Sequence, residues 1–263
     1  MRTVHDVLDS YVLCRELHPS TVELYRRHVR ILSSWYGATI PADDFGVDLC
    51  NRFLAAKQDS GVSWPYRKGL RATLKLLLNH AGKAGKLRTV KSQPFEPEVW
   101  TPEEVAKLID AAPNDYWRTI IEGAYASGLA QVDLELIERQ NIESDGMLRW
   151  RRHKTGVLVV VQFPLSLVEK LPASGKCWPR PYTREYFRRV FGSIVKKAGV
   201  RPGPFKKLRK TSGTSVEEQF PGCGHIHLGN SRRVFEQHYL GRREAKPFSP
   251  KSLPTDRSRP PGA

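Results

Sequence analysis

The sequence has no apolar run approaching the roughly 18 residues of a membrane span. Its start, Met1-Arg2-Thr3-Val4-His5-Asp6, lacks the apolar core of a secretion signal. It has four cysteines, Cys14, Cys50, Cys177 and Cys223, lying far apart and without a CxxC pair. That spacing argues against a disulfide frame or zinc knuckle and suggests reduced thiols in a cytoplasmic protein, nucleoid-associated if bacterial. Cys223-Gly224-His225-Ile226-His227 has a metal-like look but no evident fourth ligand, so no metal is expected. Asp110 and Glu122 form no recognisable carboxylate pair, and no internal repeat is visible. Acidic residues are also in short supply: 27 Asp and Glu face 43 Lys and Arg among 263 residues, a net charge of +16. So basic a chain expects a polyanionic partner, nucleic acid before a membrane surface. A hydrophobic content of 40% is adequate for a folded core.

The first 83 residues read as helices only. Val4, Val7, Leu8, Tyr11 and Val12 recur at helical spacing. Ser20-Thr21-Val22-Glu23 reads as a capping box opening a second helix, with Val22, Tyr25, Val29, Leu32 and Trp35 near one face and Arg26, Arg27 and Arg30 elsewhere. A third helix is expected over 47–57 and a fourth over 64–81. In the fourth, Leu70, Leu76 and Leu77 face inward and Arg67, Lys68, Arg71 and Lys75 form a ridge. Residues 1–95 carry 15 Lys and Arg against 8 Asp and Glu. Basic helix faces can track phosphates or simply be solvated, and both readings stand.

Residues 84–99 read as a linker, with Gly85, two prolines and no periodicity. Thr101-Pro102-Glu103-Glu104 then opens a second domain: a capping Thr, Pro at the first helical position and Glu closing the box. Helices run to about residue 138. The period then changes, and 147–152 and 157–163 read as strands flanking a turn at His153-Lys154-Thr155-Gly156. Helices resume near Ser166, Tyr182, Pro204 and Arg232. Trp100, Trp117, Trp150 and Trp178 are expected in the core. The tail 247–263, with five prolines and no apolar pattern, reads as disordered.

Three stretches carry chemistry in a telling order: Lys154-Thr155-Gly156, Leu208-Arg209-Lys210-Thr211, and Leu228-Gly229-Asn230 followed nine residues later by Tyr239. A phenol of pKa near 10 attacks a phosphodiester only if the phosphate charge is neutralised and its own proton is accepted. A guanidinium that cannot lose its charge suits two nonbridging oxygens. Lys206 stands one helical turn before Arg209, on the same face. Lys154, at a hairpin turn, could act as a general acid or belong to a sequence that simply turns well, and by itself both readings stand.

These motifs, in this order, resemble the tyrosine recombinase (phage integrase) family, and the resemblance covers nearly the whole chain. It implies a mainly α fold with a small β-hairpin. A helical, SAM-like core-binding domain (1–83), a linker (84–99) and a catalytic domain (100–246) would form a C-shaped clamp on double-stranded DNA. It implies Tyr239 as nucleophile, with a 3′-phosphotyrosine bond that conserves phosphodiester energy, so no ATP, metal or other cofactor is called for. Arg209 matches the second arginine, Lys206 the His-or-Lys position, Lys154 the hairpin lysine, and Asn230 the His-or-Trp position. Active relatives assemble as tetramers on two duplexes.

Two positions depart from the family pattern. Ser127-Gly128-Leu129-Ala130-Gln131-Val132-Asp133-Leu134 aligns with Thr-Gly-Leu-Arg-x-x-Glu-Leu, which puts Ala130 where the first catalytic arginine belongs. A methyl group cannot hold phosphate charge, and the loss is on the order of 10²–10⁵ in rate. Asn230 can donate a hydrogen bond but is no base near neutral pH. Gln131 points about 100° away on a helix and is neutral. The sequence therefore supports a site-specific recombinase of impaired activity, or a degenerate DNA-binding accessory protein or mobile-element remnant. A type IB topoisomerase-like nicking enzyme shares the chemistry, but the helical N-terminal unit suits it less.

Overall fold

The computed structural model describes residues 2–91, 97–180 and 183–241. The expected tail, the helix start at Tyr182 and the middle of the expected linker lie outside them. The chain divides into compact units of 1–94 and 95–263.

The first unit holds α1 (Val4–Leu13), α2 (Pro19–Tyr36), α3 (Val47–Asp59) and α4 (Trp64–His80). Thr3 and Asp6 close a capping box on α1. The box expected at Ser20 does not form. His18 caps α2 instead, its Nδ1 accepting from Ser20 N at 3.3 Å, and Pro19 takes the first turn. Proline has no N–H to lose there and its φ is already helical, so it moves the start upstream. Leu8, Leu32, Phe53, Leu70 and Leu77 fill the core. Leu70 and Leu77 are buried as expected and Leu76 packs half-buried against the same core; Leu74 and Leu78, one and two turns on from Leu70, are buried as well. His28 is buried against Thr73 Oγ1 at 2.8 Å, a satisfied core histidine.

Arg26, Arg27, Arg30, Lys68 and Lys75 are exposed. Arg67 and Arg71 are half-buried, Arg67 Nε donating to Val62 O at 2.9 Å and Arg71 Nε to Arg88 O at 2.8 Å. The α4 ridge is thus partly tied back onto its own unit. Residues 86–88 belong to the same packing, with Leu87 buried and Arg88 N donating to Asn51 Oδ1 at 2.7 Å.

The second unit runs α5 (Pro102–Asp110), α6 (Asp115–Ser127), α7 (Gln131–Leu134), β1 (Met147–Arg151), β2 (Leu158–Gln162), α8 (Leu165–Val168), α9 (Arg184–Lys197), α10 (Lys206–Gln219), α11 (Gly224–His227) and α12 (Arg232–His238). The Thr101–Glu104 capping box forms as expected. Glu104 also accepts from Arg201 Nη2 at 2.7 Å, and that bond holds its carboxyl down at about 2. Trp100, Trp117 and Trp178 are buried with Phe187, Phe191 and Leu208. Trp150 is half-buried.

The sheet is one antiparallel hairpin, Met147 facing Gln162 and Arg151 facing Leu158. Alternation turns Leu148, Trp150 and Arg152 to the protein side, and Val159 and Val161 likewise on β2. No helix among the described residues is long and apolar enough to cross a membrane.

Candidate active site

Three chain segments converge on Arg209. From α10 its guanidinium, 5% exposed, reaches between two loops. Nη1 donates to Gly128 O, just past the end of α6, and Nη2 donates to Leu228 O at 2.7 Å, just past α11. Both loops turn at a left-handed glycine. Gly128 has φ 60° and Gly229 φ 59°. A Cβ on Gly128 would meet Leu228 Cδ2 at 2.5 Å, and one on Gly229 would meet Val159 Cγ1 at 2.6 Å. Only glycine fits both the backbone and the space, which is the local reason for the Ser-Gly-Leu and Leu-Gly-Asn motifs. Leu228 itself is fully buried and anchors its loop.

Tyr239 ends α12, half-exposed, with its ring 5.3 Å from the Arg209 guanidinium carbon. Its carbonyl accepts from Thr214 Oγ1 at 3.1 Å, which ties the C-terminal end of α12 to α10. Burial pushes the Arg209 guanidinium below its ordinary pKa, and the neighbouring Arg152 charge pushes the same way; the Tyr239 hydroxyl opposes both.

Lys154 lies in the β1–β2 turn and Lys206 in the first turn of α10; both are exposed. Lys206 and Arg209 lie three residues apart on α10, Lys206 exposed and Arg209 buried. Asn230 Oδ1 accepts from Arg152 Nη1 at 3.1 Å, and its Nδ2 is buried with no partner. Ala130 is the uncapped residue before α7, two residues after the Gly128 carbonyl that Arg209 holds. Gln131 Nε2 donates to Glu135 Oε1 at 2.8 Å, so its amide is already engaged. Asp133, 1% exposed, accepts from His153 N at 2.7 Å and Trp150 Nε1 at 3.2 Å, and so braces the hairpin, while its charge also favours the protonated Arg209 guanidinium.

Arg152 went unnoticed in the sequence. It is 7% exposed, and its Nη1 donates to Leu228 O at 3.0 Å and Gly229 O at 2.9 Å. A readable signal existed: position 152 has the inward parity of Leu148 and Trp150, and a charged residue there is unusual.

His227 faces Ser212 Oγ at 2.8 Å, and burial, then the Arg209 charge, pushes its pKa down to about 4. The folded chain thus favours neutral imidazole, and the unfolded chain takes up the extra proton between about pH 6.5 and about 4. Its contribution is complete above pH about 6.5 and is lost as pH falls towards about 4, a loss on the order of 2–3 kcal/mol. Urea unfolding near pH 7.5 and pH 5 is expected to show that loss beginning, with His227→Gln removing much of it. His28, also pushed down by burial, titrates in the same direction, so the comparison is between that variant and wild type. An equal pH dependence in both would count against a neutral buried His227.

No family model matches the chain. Among curated proteins, 79 residues align at 34% identity with fatty acid 2-hydroxylase of Homo sapiens and of Macaca fascicularis, 30% of this chain and 20% of those proteins. So short a stretch carries neither their fold nor their activity. Solved structures match over nearly the whole chain. A lambda integrase dimer bound to a core site superposes with a TM-score of 0.74 at 22% identity, covering 95% of this chain and 100% of that one. A lambda integrase tetramer bound to a Holliday junction gives 0.73 at 22%, covering 95% and 81%. The Tn1549 transposon integrase in complex with transposon right end DNA gives 0.69 at 14%, covering 92% and 95%. A likeness this extensive, at identities this low, speaks for architecture, and with the helical units and single hairpin it establishes that the chain has the tyrosine recombinase fold.

Proposed function

We propose that this protein binds duplex DNA and cleaves and rejoins its strands through Tyr239, more slowly than a site with both family arginines. The observation that carries this reading is the Tyr239 ring set against the buried Arg209 guanidinium. In the proposed step the Tyr239 oxygen bonds to phosphorus as the bond to the 5′-oxygen breaks. The phenol's proton passes to solvent and Lys154 delivers one to the leaving oxygen. Arg209 and the Asn230 amide hold nonbridging oxygens, and Lys206 lies along the flanking backbone. Rejoining is the reverse attack by a 5′-hydroxyl.

The exposed Arg26, Arg27, Arg30, Lys68 and Lys75 would track phosphates, with assembly into tetramers on two duplexes. A second reading, a DNA-binding protein that has lost strand transfer, is favoured by Ala130. The two separate in one assay. The protein is incubated with a randomised pool of nicked suicide duplexes, denatured, and scored for covalently held DNA. A Tyr239-dependent adduct upholds the first reading; none, with binding intact, upholds the second.

Duplex affinity is expected to fall steeply with salt, by about 10³-fold or more between about 50 and 200 mM if six or more phosphates are contacted. An affinity that hardly moved over that range would remove the basic faces from the interface.

A further inference from the structure

Arg152 and Arg209 approach from different elements and share one acceptor. Arg209 Nη2 donates to Leu228 O at 2.7 Å and Arg152 Nη1 to the same oxygen at 3.0 Å, so the two nitrogens are no farther apart than those bonds laid end to end. Both side chains are more than nine-tenths buried. Among the described residues neither forms an ion pair with a carboxylate, and the buried Asp133 charge offsets Arg209 only as the weakest of the influences on it; their acceptors are carbonyls, one amide oxygen and the Tyr239 hydroxyl. Two like charges buried side by side repel and are poorly solvated, and an anion between or beside them relieves both penalties. Two donors of the same cluster, Arg152 Nε and Asn230 Nδ2, are buried with no partner. Buried donors of this kind are costly unless an acceptor arrives to take them. The hairpin that presents Arg152 also presents Lys154, two residues on.

We infer that Arg152, entering from the hairpin, is a catalytic residue that supplies the second guanidinium on the phosphate, in place of the one absent at Ala130. The inference rests on the strand-cleaving reading above and deepens it. It also accounts for a site that keeps Tyr239, Arg209 and Lys154 after losing a charge without which they would be of little use.

The test measures covalent capture of the suicide-duplex pool by the full chain. Arg152→Gln is expected to lower the rate about 10²-fold, the scale for removing one preorganised donor. Arg152→Lys, which keeps the charge but not the fork, falls between that variant and wild type. Adding Ala130→Arg to Arg152→Gln is expected to restore at least about tenfold, and to help the wild type less, since the two arginines would then serve one phosphate. A loss within about threefold for Arg152→Gln overturns the proposal. So does a large loss that Ala130→Arg leaves untouched, because Arg152 would then merely hold the Leu228 turn.

If the wild type yields no adduct, strand cleavage falls, and Arg152 is tested separately with inorganic phosphate against chloride at matched ionic strength. A phosphate-specific rise in Tm, present in wild type and lost in Arg152→Gln and Arg152→Lys, supports an oxyanion site. A rise equal in all three, or none in wild type, overturns it.

Discussion

Tyr239→Phe is expected to lose covalent DNA capture completely while folding and binding duplex as the wild type does. The substitution removes one oxygen. The ring that lies 5.3 Å from the Arg209 guanidinium carbon remains, and so does the backbone carbonyl that accepts from Thr214. Tyr239 is half-exposed and its hydroxyl bonds the buried Arg209 guanidinium, so stability should fall by about 0.5–1.5 kcal/mol, the net worth of one hydrogen bond. The phenolic oxygen is the only proposed nucleophile, so the adduct should drop below detection. Capture at an undiminished rate by the Phe variant would remove Tyr239 from the reaction. Loss of duplex affinity along with capture would recast it as a binding residue.

Arg209→Lys is expected to damage both rate and stability, and in that it differs from the tyrosine variant. Arg209 forks between Gly128 O and Leu228 O, closing the loops after α6 and α11 around one planar group. An ammonium has no such fork and cannot hold both carbonyls and a phosphate oxygen at once. One or more buried carbonyls would be left without a donor, at about 1–3 kcal/mol. Cleavage should fall by about 10²–10³, as when a preorganised charge donor is lost. Equilibrium unfolding and adduct kinetics on the same preparation separate the two effects. Rate loss with unchanged stability would mean that Arg209 faces the phosphate without also bracing the loops. Unchanged rate would displace it from the site.

Much of this arrangement was legible in the sequence because it depends on local rules. The Thr101–Glu104 box, the hairpin around Lys154 and the helical periods of α1 and α4 are written in neighbouring residues. The Ser20 box failed because a neighbour, Pro19, competed more effectively for the same helix start. On α4 the period of 3.6 fixed the stripe but not its centre: Leu70 and Leu77 are buried and Leu76 packs at the edge of the core, with Leu74 and Leu78 continuing the Leu70 row.

The site divides along the same line. It was the resemblance to the tyrosine recombinases, carried by motifs in a fixed order along the chain, that marked Lys154, Lys206, Arg209, Asn230 and Tyr239 as one set and Ala130 as the position without its expected arginine. Folding buried Arg209 and left Lys206, one turn earlier, exposed. It also joined what spacing could not, bringing Arg152 from the hairpin onto the carbonyl that Arg209 already holds. That meeting depends on contacts 19 and 76 residues apart in sequence, which no local periodicity encodes. Chain order therefore carried the family resemblance, whereas the close approach of loops at Gly128 and Gly229 selected which guanidiniums stand together.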